Sequence, residues 1–215
     1  MKKFYALFFL LATSIACTDL EEELRDDLTA DQAAQLVEVS ALLKSAYDGM
    51  RLPYQDQSRF WAAQEHTSDE AIGPTRGPDW DDNGVWRVLH SHDWGPSHGF
   101  LGSTFSELLQ LVYATTNITD PKFGASAQQL AEARFLRAFV INSVVDGWGQ
   151  VPFREFGTSL LDDAQVLTAA EAVDFIISEC EAILNDLPDG PANVANKDAA
   201  KVLLMKTLLT NSLPP

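Results

Sequence analysis

Apolar residues recur at three- and four-residue spacing in separate stretches of this chain, the period of amphipathic helices. Leu36, Val39, Leu43 and Tyr47 mark one helix within residues 31–50, with Asp31 able to cap its start and Gly49 near its end. Phe105, Leu108, Leu109 and Val112 mark a second, over 103–117. After a turn at Asp120-Pro121, a third helix is predicted from Ser126 to Asp146 and closed by Gly147. Thr168-Ala169-Ala170-Glu171 is a capping box, in which hydroxyl and carboxylate each serve a free backbone amide; it opens a helix to about Leu187, stopped by Pro188. Asn196 caps a last helix through about Leu209. The stretch Trp148–Phe153 reads as a tight extended turn, and no strong alternating strand pattern occurs. The expectation is an all-α fold of helix pairs joined by turns, as in helical-repeat proteins.

Residues 51–102 break the pattern. Gly and Pro punctuate them from Pro53 to Gly102, and only Arg59–Glu70 reads as a further helix. A long loop in a compact domain is usually functional or disordered. Four of the five tryptophans, Trp61, Trp80, Trp86 and Trp94, lie here and argue against disorder.

The ends carry different signals. Lys2 and Lys3 precede an apolar run, Phe4–Ala12, too short to span a bilayer, followed by Thr13-Ser14-Ile15-Ala16-Cys17. Residues 1–16 are read as a signal peptide ending in a lipobox-like Ser-Ile-Ala-Cys, which makes Cys17 the lipidated N-terminus. Cleavage of an ordinary signal peptide near Ala16 is the competing reading, since Ser14 stands where the lipobox has leucine. The acidic segment within 17–30 is too charged to bury and reads as a tether. The domain proper is 31–215. Its last predicted helix has an apolar face, Val202, Leu203 and Leu209, with nothing after it to cover it, so a longer protein is expected.

Composition narrows the function. The chain has 31 acidic and 15 basic residues. Loss of Lys2 and Lys3 with the leader leaves 13 basic against 31 acidic, a net −18 with histidines neutral. That field repels phosphates, and no basic stripe with interleaved aromatics exists, so nucleic acid is not an expected partner. Solubility accounts for the charge; a cationic ligand would need a clustered acidic pocket. With Cys17 lipidated, Cys180 has no partner for a disulfide, and its helical apolar neighbours Ile176, Ile177 and Ile183 point to a buried structural thiol.

Four segments in order resemble the SusD/RagB family of Bacteroidetes outer-membrane lipoproteins. They are the leader with Cys17, Glu65-His66-Thr67-Ser68-Asp69-Glu70-Ala71, then Ala131–Phe139 with Gly147-Trp148-Gly149-Gln150-Val151-Pro152-Phe153, and Asn196–Lys206. Gln150 stands where the family commonly has aspartate. The resemblance implies a tetratricopeptide-like helical scaffold with a long Trp-rich loop excursion, represented here by its N-terminal part. It implies a lipid-anchored outer-membrane protein, surface-exposed, that captures oligosaccharides for a partner SusC-like TonB-dependent transporter. The alternatives are a peptide-binding RagB-like member or a truncated fragment without binding of its own. Neither a catalytic role nor a cofactor is implied. Arg134 and Arg137, one turn apart with Glu132 near, read as architecture that bridges helices or holds the next turn.

The candidate site lies in the excursion. An indole face suits the C–H face of a sugar, and short carboxylates, amides and guanidinium groups suit its hydroxyls. Trp80, between Asp79 and Asp81, is the first stacking candidate and Trp86 the second. Arg76, Asp81 and Asn83 are rim candidates, and Asp69 is a further one. His90, His92 and His98 with Asp93 read as hydrogen-bonded loop histidines, not as metal ligands. There is no serine elbow, phosphate-cradling glycine loop or zinc-protease helix. Asp69 and Glu70, pointing to different faces, make a poor acid/base pair.

Overall fold

The structure is a computed structural model. It describes Gln32 and residues 36–159 and 161–212. The chain divides into two units, 1–33 and 34–215, and the second carries every element named below. The leader, Cys17, the acidic tether and Asp31 lie outside the described residues.

The elements in order are α1 (Val39–Gly49), α2 (Arg51–Gln55), α3 (Phe60–Thr67), α4 (Val85–His90), α5 (Gly99–Ile118), α6 (Ala127–Trp148), β1 (Gln150–Phe153), β2 (Gln165–Thr168), α7 (Ala169–Ile183) and α8 (Lys197–Ser212). Neighbours in sequence pack as neighbours in space: α5 on α6, α6 on α7, α7 on α8, with α1 laid against α5 and α6. This is the all-α helical-repeat scaffold that the spacing predicts.

The long helices bury apolar residues against one another, and α6, in the middle of the stack, does so on all sides. Leu108 and Ile118 of α5, Leu136, Val140, Ile141 and Val144 of α6, and Ile176, Cys180 and Ile183 of α7 form one continuous core. Burying such a side chain contributes about 1.5–3 kcal/mol. The ends follow their capping chemistry. Ser126 and Gln129 close a capping box on α6, and Thr168 and Glu171 close the expected one on α7. Asn196 Oδ1 accepts from the Ala199 amide at 2.9 Å at the start of α8.

One polar cluster sits inside this stack. Glu179 of α7 receives Arg134 Nη2 at 2.7 Å on Oε1 and Arg137 Nη2 at 2.6 Å on Oε2. Arg137 is almost fully buried, with its guanidinium carbon 5.1 Å from the Phe175 ring centre. Thus the arginine pair bridges α6 to α7. Glu132 instead accepts from the Tyr47 hydroxyl at 3.4 Å, while that hydroxyl accepts from the Ala195 amide at 2.8 Å.

Several sequence-based boundaries shift. The first helix begins at Val39, since Leu36 and Val37 form an exposed turn and bend. The third runs to Trp148 and is capped by Gly149 at φ 72°, not by Gly147, because only the later glycine takes the left-handed conformation that ends a helix. The fourth ends at Ile183 instead of Leu187. The stretch after Trp148 is a strand: β1 pairs antiparallel with β2, Val151 opposite Leu167. Pro152, in the middle of β1, argues against a strand in the sequence; a two-stranded sheet tolerates it because every strand there is an edge. In α8, Ala200 and Leu203 are buried whereas Val202, Met205, Leu208 and Leu209 are exposed, so Leu203 leaves the predicted bare face. Among the described residues no helix is long and apolar enough to cross a membrane.

Candidate functional site

The excursion is not one long loop. It contains α2 and α4, which sequence reading missed, and α3 within the predicted Arg59–Glu70. Of these, α3 and α4, with the start of α5, build a second apolar cluster, distinct from the main core. Ala62, Trp86 and Leu89 are its buried centre, and Trp80, Val85, Phe100 and Leu101 pack around them.

Aromatic rings stack upward from that centre. Phe100 lies 4.4 Å from Trp86, Trp86 lies 4.9 Å from Trp80, and Trp80 meets Trp61 edge-on at 6.2 Å and 77°. His66 packs against both inner indoles, stacked on Trp86 at 5.5 Å and tilted against Trp80 at 5.8 Å. The stack therefore runs from a buried base to a half-buried Trp80 and an exposed Trp61, which is 48% accessible.

The backbone around Trp80 is held in an uncommon shape. Trp80, Asp82 and Asn83 have φ of 58°, 38° and 55°. Non-glycine residues there cost of order 1–3 kcal/mol each and persist only where the surroundings over-determine them. The surroundings do so here. Trp86 Nε1 donates to Asp82 Oδ2 at 2.6 Å, and Arg87 Nη1 donates to Asp81 Oδ1 at 2.9 Å and to the Pro74 carbonyl. Gly73 is needed beneath the loop, since a Cβ on it would come within 2.9 Å of Trp86 Cβ and 3.3 Å of the Trp80 carbonyl oxygen. His98 locks the far side. Its Nδ1 accepts from the Leu101 amide at 3.3 Å, and its Nε2 donates to the Val85 carbonyl at 3.0 Å.

Two depressions meet at Trp80. One, of about 400 Å³, is lined by Gln57, Trp61, His66, Ile72, Asp79 and Trp80, among others. The adjoining one, of about 180 Å³, shares Gln57, Asp79 and Trp80 and adds Ser58 and Asp82. Together they give flat apolar walls with an amide, a hydroxyl and carboxylates at the edge. His66 is 4% exposed, and its Nδ1 is buried without a hydrogen-bond partner. Burial holds its pKa below the ordinary 6.5, an effect that nearby His90 reinforces and the Ala71 backbone opposes. A larger depression, about 860 Å³, lies along α1, α2 and α5, but no aromatic ring lines it.

The sequence-predicted residues are placed unequally. Trp80 stands in the pocket wall. Trp86 borders the smaller depression but is only 2% exposed, so it presents little open face; its ring is the base on which Trp80 rests. Asp81 is engaged by Arg87 instead of facing the pocket. Asp69, at φ 63°, lies 3.4 Å from His90 Nδ1. Arg76 and Asn83 are exposed on the loop, outside the lining of either depression. Trp94, 40% exposed, lines a different pocket beside Trp148. Among the described residues no group of three or more His, Cys, Asp or Glu side chains is arranged to hold a metal. Cys180 is fully buried, and burial pushes its thiol up to about 12, with Glu179 and Glu181 adding to the shift.

Gln57, His66 and Trp61 are not among the site residues that the sequence predicts, and Asp79 enters there only as a neighbour of Trp80. The signal for Trp61 was present: Ala62 and His66, four apart, define the buried side of α3, and Trp61 falls off it.

No family model and no curated protein matches this chain. Among solved structures, a laminarin-binding SusD-like protein superposes with a TM-score of 0.66 at 18% sequence identity, over 80% of this chain and 40% of that one. The match thus spans 40% of the length of the structure it resembles. At that identity the likeness is one of fold: this chain carries the SusD-like fold.

Proposed function

We propose that this chain is the scaffold of a glycan-binding protein, with the Trp61–Trp80 pocket as its sugar-docking surface. The observation that supports it best is the half-buried Trp80 held in left-handed backbone conformation on a base of Trp86, His66 and Phe100. A rigid indole costs no rotamer entropy on binding, and its apolar face matches the C–H face of a sugar ring. Gln57, Ser58 and Asp79 supply donors and acceptors for hydroxyls at the edge. Arg76 and Asn83, exposed on the same loop, are proposed contacts for sugars beyond the first, whereas Asp81 and Asp69 act by fixing loop positions. The solved structure of like fold carries a laminarin-binding description, which makes β-glucans the first ligands to try.

In this reading residues 1–16 export the chain, Cys17 carries the lipid anchor at the outer membrane, and residues 17–30 lift the domain toward a SusC-like TonB-dependent barrel. Oligosaccharide held at Trp80 is then handed to that partner, with no catalysis by this chain.

Isothermal titration of the full-length protein against laminari-oligosaccharides and a wider glycan panel tests the proposal. Trp80→Ala is expected to weaken binding by roughly tenfold or more, and Trp61→Ala by less. Absence of binding to every glycan, or binding unchanged in Trp80→Ala, would sink it.

A further inference from the structure

A second pocket, of about 290 Å³, lies where α3, the start of α5 and the end of α6 meet. Three aromatic rings line it: Phe60, Trp94 and Trp148. Gln64, Thr67 and Asp146 supply its polar atoms. No lysine or arginine is among its lining residues. The nearest arginine in sequence, Arg59, is committed to Glu107 by its Nε at 2.9 Å.

The electrostatics of this pocket point one way. Asp146 accepts a hydrogen bond from Gln64 Nε2 at 3.2 Å through Oδ2, and no described cation pairs with it. It sits in the last turn of α6, which ends at Trp148, so the negative pole of a 22-residue helix adds to its charge. Indole faces are themselves negative at their centres and attract cations. Phe105 braces Trp148 at 5.1 Å, and His92 braces Trp94 at 5.4 Å, so both walls are set before a ligand arrives. A neutral ligand would leave this field unused, and an anion would be repelled by it.

We propose that this pocket binds a compact organic ammonium group, caged by Trp94, Trp148 and Phe60 and neutralised by Asp146. It is separate from the Trp61–Trp80 pocket and does not depend on that pocket binding sugar. A quaternary ammonium and the protonated amine of an amino sugar share the required chemistry.

The test is titration of the full-length protein with choline against its neutral isostere 3,3-dimethylbutanol, and with glucosamine against N-acetylglucosamine. Saturable binding of at least one cation is expected, with its neutral twin roughly tenfold weaker or absent. The cation that binds identifies the source of the ammonium. Asp146→Asn and Trp94→Ala are each expected to weaken it by roughly tenfold. The amino-sugar pair is titrated in Trp80→Ala, so that the sugar surface proposed above takes up neither twin. Asp146 is exposed, so Asp146→Asn reports on binding even if Trp94→Ala does not fold. No binding of either cation, equal binding of the neutral twins, or full affinity in Asp146→Asn overturns the proposal.

Discussion

The α5–α6–α7 stack and the segment between Gln57 and His98 are built on opposite principles. The stack repeats one solution: long helices packed on one another through apolar side chains, with capping boxes at the starts of α6 and α7. The aromatic segment has α-helices of six and eight residues and a buried apolar centre of only Ala62, Trp86 and Leu89. All the non-glycine residues recorded at positive φ, Asp69, Trp80, Asp82, Asn83 and His92, fall in it. The stack gains stability from area. The other region spends stability on shape, as binding surfaces do, and depends on single contacts to keep it.

The largest effect should come from the one polar knot in the stack. Glu179→Gln removes the carboxylate that two arginines share, leaving Arg137 buried with only Glu155, 3.8 Å away and half exposed, as a counter-charge. Breaking a buried ion pair from one side typically costs about 3–5 kcal/mol. Urea denaturation should show that loss for the whole domain, whereas Glu155→Gln should cost under about 1 kcal/mol. A small change in Glu179→Gln would mean that the stack is held by apolar area alone.

Trp86→Ala strikes the other region at its base. Removing a buried indole costs about 3–5 kcal/mol in a continuous core. Here the cluster is a satellite, so global stability should fall by less, toward about 2 kcal/mol. Hydrogen exchange should accelerate between residues 57 and 98 and stay unchanged in α6 and α7. Loss of protection throughout would show that the two regions unfold as one unit. Trp80 loses its support in this variant, so glycan affinity should fall with it.

The same contrast explains what was legible in the sequence. Period-3.6 spacing and the Thr168–Glu171 and Ser126–Gln129 pairs locate the long helices because local chemistry and global packing agree there. The strand Gln150–Phe153 escaped because its evidence lies in the partner strand, twelve residues beyond Phe153. Within the aromatic segment the right residue type was legible but its direction was not. Trp80 stands among Asp79, Asp81 and Asp82, and Trp86 beside Val85, Val88 and Leu89. The turn of the backbone at Trp80 and the reach of Trp86 Nε1 to Asp82 then fix which indole is the base and which the surface. The Trp61 position depends on knowing that Ala62 and His66 define the inner face of a helix whose apolar pattern is weak.

The smallest expected effect concerns pH, and it separates the regions without any change of packing. His66 is buried against Trp80 and Trp86, and its pKa is held below 6.5 chiefly by that burial. The unfolded chain therefore binds a proton at His66 before the folded one does. Stability from this group is complete above about pH 6.5 and declines as the pH falls toward the folded-state value. Its neighbours oppose and reinforce the shift: the Ala71 backbone favours the protonated ring, while His90, itself beside Asp69, disfavours it. A proton that enters the folded state goes under Trp80, so the indole stack should loosen before the helices do. Tryptophan emission followed from pH 7.5 to 5 should shift toward exposed indole while far-ultraviolet circular dichroism stays constant. His66→Gln should flatten the emission change. Should emission and helicity instead move together in the wild type, His66 is not the group that titrates, and the aromatic region has no pH-sensitive wedge of its own.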